Sequence, residues 1–570
     1  MPETAPTPSG PPSGPSSGPL SGPSSAPPEE SVGPLERGLA LLRAMAVDPA
    51  VRQRPSDLAR ATGLARSTVD RIATTLVGLG YLRSDGRDLV LAPRAAEFGN
   101  AYLTGSGLPD RLGSLAVELA DRLDESVSIA VPDGDDARFV VQATRRRAMA
   151  VSFRIGDLLP AERCAPGALF AAEWDEGRWD AWPRRRANGV DDANGTDDGG
   201  YAVEPSSAPD VVGFRELAQA SAVRGWSVDD QLIEPGLVAV SVPVRDPSGA
   251  TVCAVSVVSH TSRHDAASLT GHALPRLRDT AREMERRLAL PAAPAAPAVP
   301  PSGRRLKEEL GSGFLQSLAR GLDVLLALGA APGSHPLAAV ARATGLPRAT
   351  ARRALITLRH LGYVGSDGER FRLLPRVLGL GYARLAGLSL AEIAEPHLID
   401  LVLRVHESAS MAVLDGPDIR YVARVPTTRI MRLDLAVGTR LPAYPTSMGR
   451  VLLGALPEPE LASLLAEMTP TRFTEATVTD RAALAAAVRA AARDGHALVD
   501  QELEEGLRSV AVPVHDGLGR VVAAVNVALH AGRGTPDEVR AALLPPLSEA
   551  ARAISADLAL TDRLPGARPA

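Results

Sequence analysis

The sequence repeats itself, and this constrains its fold more than any other feature. RPSDLARATGLARSTVDRIATTLVGLGYL (54–82) aligns without gaps on HPLAAVARATGLPRATARRALITLRHLGYV (335–364) after one extra residue at the start of the second stretch. Gly63 with Gly345, Gly80 with Gly362, Gly156 with Gly438 and Pro160 with Pro442 are all 282 residues apart. Beyond these the offset falls to 270, as in Gly225 with Gly495, Gly236 with Gly506 and Pro243 with Pro513. The first copy therefore carries about 12 extra residues between Pro160 and Gly225. The segment RRRANGVDDANGTDDGGYAVEPSSAP (184–209) has the composition of an inserted disordered loop. So long a period means duplicated multidomain units, because solenoid repeats recur every ~20–50 residues.

The remaining punctuation follows from composition. With 51 Gly and 48 Pro among 570 residues, disordered tracts are expected beside folded ones. Residues 1–33 are almost all Pro, Gly, Ser and Ala and read as a disordered tail, since they cannot bury enough apolar surface to offset the entropy of ordering. PAAPAAPAVPPSG opens a semi-extended Pro/Ala spacer over 291–312. Two cysteines far apart, Cys164 and Cys253, exclude a disulfide scaffold and a four-cysteine zinc site, and fit a reducing compartment. No run approaches the ~18 apolar residues of a membrane span. The chain reads as cytoplasmic, with no membrane partner.

Each copy reads as a small helical module followed by a larger mixed one. In the first copy LERGLALLRAMA (35–46) has helical spacing, followed by a short helix over 56–62, a turn at Gly63 and a helix from about Ser67 to Leu79. YLRSDGRDLVLAP (81–93) is a hairpin turning at Asp85-Gly86, and YVGSDGERFRLLP (363–375) repeats it. Three helices and a hairpin make a winged helix-turn-helix module, placed at 34–94 and 313–376. The larger modules, 95–290 and 377–562, open with helices and close with a strand pair and a last helix. That order predicts an α+β fold in which an antiparallel sheet, with helices beside it, offers a concave face to a small ligand.

A helix, a Gly-containing turn and a second helix with an exposed polar start can place that second helix in the DNA major groove. The reading residues are Arg66, Ser67, Thr68 and Arg71 in the first copy and Arg348, Thr350, Arg352 and Arg353 in the second, with Arg359 further along. Val69, Ile72 and Leu76, and Ala351, Leu355 and Leu358, face inward. Residues 52–94 hold eight Arg against four acids and 335–376 eight against two, two basic patches in a chain of net charge −5. The hairpin arginines Arg83, Arg87, Arg370 and Arg372 could add phosphate contacts. The alternative is a solvated face on a ligand-sensing interaction module without DNA; the pattern's occurring twice favours DNA.

In the second larger module DQELEEGLRSVAVPV (500–514) sets Asp500, Glu502 and Arg508 around a turn into a strand. VGTRLPAYPTSMGRVLLGAL (437–456) offers a second wall: Tyr444, then Thr446, Ser447 and Gly449 at the start of a helix beginning near Met448. A helix N-terminus favours a carboxylate, and Arg508 could add a bidentate contact. A helix cap and a solvated turn would use the same residues. The first copy has Leu232, Val238, Glu162 and Cys164 where the second has Glu502, Arg508, Tyr444 and Thr446, so its pocket is expected to be altered. The acids at 500–505 lack a His-rich metal-ligand spacing, and GLGYAR (379–384) lacks a dinucleotide loop's third Gly. No catalytic residue, metal site or cofactor is expected. His260 and His530 at matching strand ends read as structural.

These motifs resemble the IclR family of transcriptional regulators over about 35–290 and 315–560: GLxRxTxxR…LxxLGYL in the helical module, and VGxxLPAYxTSMGRVLL with DQExxxGLRSVAVPV in the larger one. The second copy looks most like the Pca subgroup, regulators of protocatechuate and β-ketoadipate catabolism, through PTSMGRVLL and DQELEEGLRSVAVPV. The resemblance implies a GAF-like effector-binding domain for a small organic acid, aromatic by the Pca likeness, and winged helices that pair on double-stranded operator DNA near catabolic genes. It implies that the two halves form an intramolecular pseudo-dimer or that chains form homo-oligomers.

Overall fold

The computed structural model of the protein describes residues 28–47, 52–145, 153–189, 210–290, 311–427 and 435–561. Most of the expected tail, residues 190–209 of the expected insert and residues 291–310 of the spacer lie outside the described residues.

In the first half α1 (Gly33–Ala46), α2 (Pro55–Thr62) and α3 (Arg66–Gly78) lead into the hairpin β1 (Leu82–Asp85) and β2 (Asp88–Leu91). Helices α4 (Ala96–Ser106) and α5 (Leu108–Leu123) connect to β3 (Ser126–Asp133), β4 (Asp136–Ala143), β5 (Leu158–Pro160), α6 (Ala165–Ala171), α7 (Glu176–Gly189) and α8 (Val211–Arg224). Strands β6 (Ser227–Asp230), β7 (Leu237–Arg245) and β8 (Thr251–His260) and helix α9 (Ala266–Ala289) complete it. The second half repeats the order. It runs α10 (Gln316–Leu328), β9 (His335–Pro336), α11 (Leu337–Thr344), α12 (Arg348–His360), β10 (Val364–Asp367), β11 (Arg370–Leu373), α13 (Tyr382–Leu385), α14 (Leu390–Val405), β12 (Ser408–Asp415) and β13 (Asp418–Val425). It continues with β14 (Arg440–Pro442), α15 (Ser447–Gly454), α16 (Glu458–Glu467), α17 (Arg481–Asp494), β15 (Ala497–Asp500), β16 (Leu507–His515), β17 (Val521–His530) and α18 (Pro536–Thr561).

The turn between the second and third helices of each winged module depends on glycine. Gly63 and Gly345 sit at φ +66 and +63, the left-handed region that ends a helix cheaply only without a Cβ. Each larger module is a six-stranded antiparallel sheet, ordered β5-β4-β3-β8-β7-β6 and β14-β13-β12-β17-β16-β15. One face packs under α5 and α9, or α14 and α18, and the other under the short helix α6 or α15.

The two winged modules share one apolar core that includes Leu35, Leu39 and Leu42 of α1 and Leu318, Leu322 and Leu325 of α10. A Cβ on Gly38 would lie 2.4 Å from Leu318, and one on Gly321 2.4 Å from Leu35, so each glycine receives the other helix's leucine. The pairing is reciprocal at the backbone: the Val32 N–H donates to Thr357 Oγ1 at 2.9 Å, and the Leu315 N–H to Thr75 Oγ1 at 3.0 Å. Thr75 and Thr357 are equivalent, so the two modules meet about a pseudo-twofold axis.

The start of the segment expected as an insert is helical. Residues 184–189 are the last turns of α7. Trp179 and Trp182 are buried against Phe214, with ring centroids 5.4 and 5.1 Å away, and Arg185 and Arg186 reach Asp135 and Asp136. Among the described residues no helix is long and apolar enough to cross a membrane.

Candidate functional site

Helices α3 and α12 present their polar starts outward. Val69, Ile72 and Leu76 are fully buried, which by the 3.6-residue period leaves Arg66, Ser67 and Arg71 exposed and Thr68 half-buried. In α12 Ala351, Leu355 and Leu358 are buried, Arg348, Arg352, Arg353 and Arg359 exposed and Thr350 half-buried. Arg66 pairs along its helix with Asp70 at 3.2 Å, and Arg352 meets Glu30 of the amino-terminal segment at 2.5 Å.

Two hairpin arginines expected on phosphates are engaged elsewhere. Arg83 is half-buried close to Asp557, Asp400 and Glu395 of the second effector module, and burial holds its guanidinium below its ordinary value against their pull. Arg370 donates to Ser334 Oγ at 3.0 Å and to the Ser334 carbonyl. Arg87 remains exposed.

The residues expected to line an effector pocket separate into three groups. Asp500 and Arg508 stand opposite each other in register, with Arg508 Nε and Nη2 2.8 and 2.9 Å from the carboxylate. Their period-two partners Val510, Val512 and Val514 belong to the core with Ile393, Leu398, Leu547 and Ile554, so this pair faces α14 and α18. Arg508 also donates to the Gly534 carbonyl, and it is corrected from ligand clamp to strut on the far side of the sheet. Glu502 is buried and paired with Arg450 at 2.6 Å, and Arg450 Nε donates to the Tyr444 carbonyl at 3.1 Å. The Tyr444 hydroxyl is held by Thr471, donating to its carbonyl at 2.6 Å and accepting its N–H at 2.8 Å. This second group closes a loop.

The third group lies where a ligand could sit. Thr446 caps α15, its Oγ1 accepting the Gly449 N–H at 3.0 Å and donating to the Ala443 carbonyl at 3.0 Å. Gly449 is glycine for closeness, since a Cβ there would stand 1.9 Å from the Ala443 carbonyl oxygen. Met448 is buried in the core beside it. Ser447 Oγ lies 2.8 Å from Ser509 Oγ, across the gap between helix and sheet. Register extends this face: Ser410 stands opposite both Arg424 and Asn526, Asn526 opposite Ala511, and Ser509 opposite Ala528. Asn526 is buried with its Oδ1 unpartnered. Tyr421 shares the face, its hydroxyl pushed up to about 12 by burial, with Arg424 near enough to oppose the shift. Ser410, Tyr421, Arg424, Ser509 and Asn526 were not singled out from sequence, although the alternation of Val510, Val512 and Val514 with Ser509 and Ala511 marks the face.

The first copy shows the same place closed. Ser128, Phe139, Cys164, Ala165, Asp229, Ala239, Ser256 and Val258 surround a cavity of only about 10 Å³, room for one water. Phe153 stacks on Phe139 at 4.2 Å between centroids and fills it. By the two offsets these positions carry Ser410, Tyr421, Thr446, Ser447, Val499, Ser509, Asn526 and Ala528 in the second copy, and Phe153 becomes Leu435. Five gain a hydroxyl or amide or enlarge a polar side chain, Val258 and Phe153 shrink to Ala528 and Leu435, Ser410 keeps the serine of Ser128, and the Asp229 carboxyl gives way to Val499.

Asp229, 2% exposed, accepts the Leu232 N–H at 2.8 Å, and burial pushes its carboxyl up to about 7. The folded chain therefore keeps a proton that the unfolded chain releases above pH ~4, and stability falls as pH climbs from ~4 to ~7. Asp136, raised to about 6 by burial in spite of Arg186, adds to the lower part of this window. We expect urea midpoints to decline over that range, and Asp229→Asn to flatten the decline above pH ~6; an unchanged slope in the variant would refute the assignment.

Two paired winged helices, each followed by a curled-sheet module with a small-ligand face, define a ligand-responsive DNA-binding regulator. Residues 34–86 and 317–368 match the IclR helix-turn-helix domain, and residues 210–286 and 382–556 match the bacterial transcriptional regulator IclR C-terminal domain. The chain is 45% identical over 240 residues to the Pca regulon regulatory protein of Pseudomonas putida, covering 42% of this chain and 82% of that protein. It is 32% identical over 243 residues to the Pca operon regulatory protein of Acinetobacter baylyi, covering 42% and 87%, and 32% identical over 243 residues to the p-hydroxybenzoate hydroxylase transcriptional activator of the same organism, covering 42% and 90%. The chain belongs to the IclR family of DNA-binding transcriptional regulators, and carries each family domain twice.

Proposed function

We propose that one chain binds operator DNA through α3 and α12, and releases or reshapes that contact when its second effector module takes up a small hydroxylated aromatic acid or the ring-cleavage product of one. The observation that carries this is the position-by-position exchange at the ligand face, where Tyr421, Thr446, Ser447, Ser509 and Asn526 of the second copy stand for Phe139, Cys164, Ala165, Ala239 and Ser256 of the first. Ser447 and Ser509 offer hydroxyls, Asn526 an amide whose Oδ1 awaits a donor, and Arg424 the positive charge that an acid needs. The names of the aromatic-pathway relatives support the same ligand class. The site binds without turnover, and the chain acts in the cytoplasm, where Cys164 and Cys253 stay reduced.

The path from ligand to DNA crosses the copies. The Leu560 carbonyl at the end of α18 accepts from Asn100 Nδ2 at 2.7 Å, and Asn100 Oδ1 accepts from the Tyr382 hydroxyl at 3.1 Å. With Asp400 and Asp557 near Arg83, the second effector module meets the first copy at α4 and beside its hairpin. A coupling of ~1–3 kcal/mol through this joint would make a useful switch.

The test is fluorescence anisotropy with duplex from upstream of the protein's own gene, at several salt concentrations, with and without protocatechuate. Arg353→Ala should weaken binding and lower the salt slope by about 1. Asn526→Ala should keep the DNA affinity and lose the response to the acid. Absence of binding at 50 mM salt would overturn the reading.

A further inference from the structure

We infer that the operator this chain reads has two unlike half-sites, and that Asp70 in one reading helix and Arg352 in the other make much of the difference. This rests on the DNA-binding reading above and adds what an ordinary twofold repeat would not give.

The two helices occupy equivalent places but carry different chemistry. Asp70 and Arg352 are 282 residues apart, hence the same position, and both are exposed beside the exposed Arg71 and Arg353. Ser67 is matched by Ala349 and Thr74 by Ile356. Over their lengths α3 holds Arg66 and Arg71 against Asp70, while α12 holds Arg348, Arg352, Arg353 and Arg359 and no acid. A carboxylate on a reading face accepts from cytosine N4 and repels phosphate, whereas an arginine there donates to guanine O6 and N7 or to phosphate. In α3 the Asp70 carboxylate also occupies Arg66. In α12 the acid beside Arg352 comes from outside the helix, Glu30, so a groove can displace it without distorting the reader.

A dimer of identical chains must present identical readers and so selects a symmetric site. Here both readers belong to one chain, fixed about the pseudo-twofold axis by the shared α1–α10 core and the reciprocal Thr75 and Thr357 bonds. Their inequality is therefore permanent and gives the bound chain a direction on DNA.

The experiment is selection of full-length protein on a randomised duplex library, followed by anisotropy on the enriched sequence. The expected result is a spaced pair of half-sites that differ, with affinity falling about tenfold for each base pair changed when either half is rewritten as a copy of the other. Asp70→Arg should change the selected bases in one half-site only and steepen the salt dependence, with Asp70→Asn intermediate; both positions are exposed, so folding is retained. Enrichment of a perfect inverted repeat, or an Asp70→Arg effect shared by both halves, would overturn the inference while leaving DNA binding intact. Enrichment of nothing by wild type would overturn the DNA-binding reading itself.

Discussion

Gly329→Val is expected to lower affinity for a two-half-site operator on the order of 100-fold while leaving binding to an isolated half-site nearly unchanged. Gly329 ends α10, and a Cβ there would stand 2.3 Å from the Ala101 carbonyl oxygen and 2.4 Å from the Ala101 Cβ. Both belong to α4, on the other copy, and the nearest atom is backbone, so no rotamer change can yield. A neighbouring contact, the Gly333 N–H donating to the Gly105 carbonyl at 2.9 Å, would be pulled away with it. Overpacking of this kind costs about 1–3 kcal/mol, less than an entire folded module contributes, so each winged helix should survive alone. What is lost is the rigid relation between readers, and with it the advantage that the second half-site gains from tethering. Anisotropy on paired and single half-sites, with circular dichroism to show retained helix, checks this. Equal losses on both duplexes would mean that the substitution unfolds the second module and that the interface is not the point.

This joint was not legible in the sequence, whereas the modules it joins were. The duplication, the helix-turn-helix with Gly63 and Gly345, the Asp-Gly hairpins and the inward residues Val69, Ile72, Leu76, Ala351, Leu355 and Leu358 all follow from local periodicity and turn chemistry, and the structure has them within a residue or so. Gly38, Gly99, Gly321 and Gly329 lack any local signature, because what excludes their Cβ atoms comes from the opposite copy. At the ligand face the error has a different origin. The charge of Arg508 suggests a ligand contact, while the strand around it alternates valines with small residues and that alternation assigns it to the far face. Asn526 carries no such signal, because nothing in its apolar strand hints that register sets it beside Ser410. Charge attracts attention in a sequence, and parity decides the face.

The buried Arg450–Glu502 pair makes the second large prediction, and the first copy already contains its control. Glu502→Leu should destabilise the second effector module by about 3–5 kcal/mol, because it leaves the Arg450 guanidinium buried without its anion. Glu502 also accepts the Val478 N–H at 3.2 Å, and its carbonyl accepts from Thr477 Oγ1 at 2.6 Å, so the loop over 471–478 loosens with it. The equivalent residues of the first copy are Ala168 and Leu232, an arrangement with neither charge and a closed ligand face. Hence Arg450→Met combined with Glu502→Leu should recover most of the loss, and a double-mutant cycle by urea unfolding should show a coupling well above the ~0.5 kcal/mol of independent sites. The cycle also separates a structural from a ligand-contacting Glu502. If Glu502 held the effector, Glu502→Leu would leave the unfolding midpoint in place and abolish the response to the acid, and the double variant would not restore it. If it supports the wall behind Tyr444, stability and response should fall together in the single variant and return together in the double.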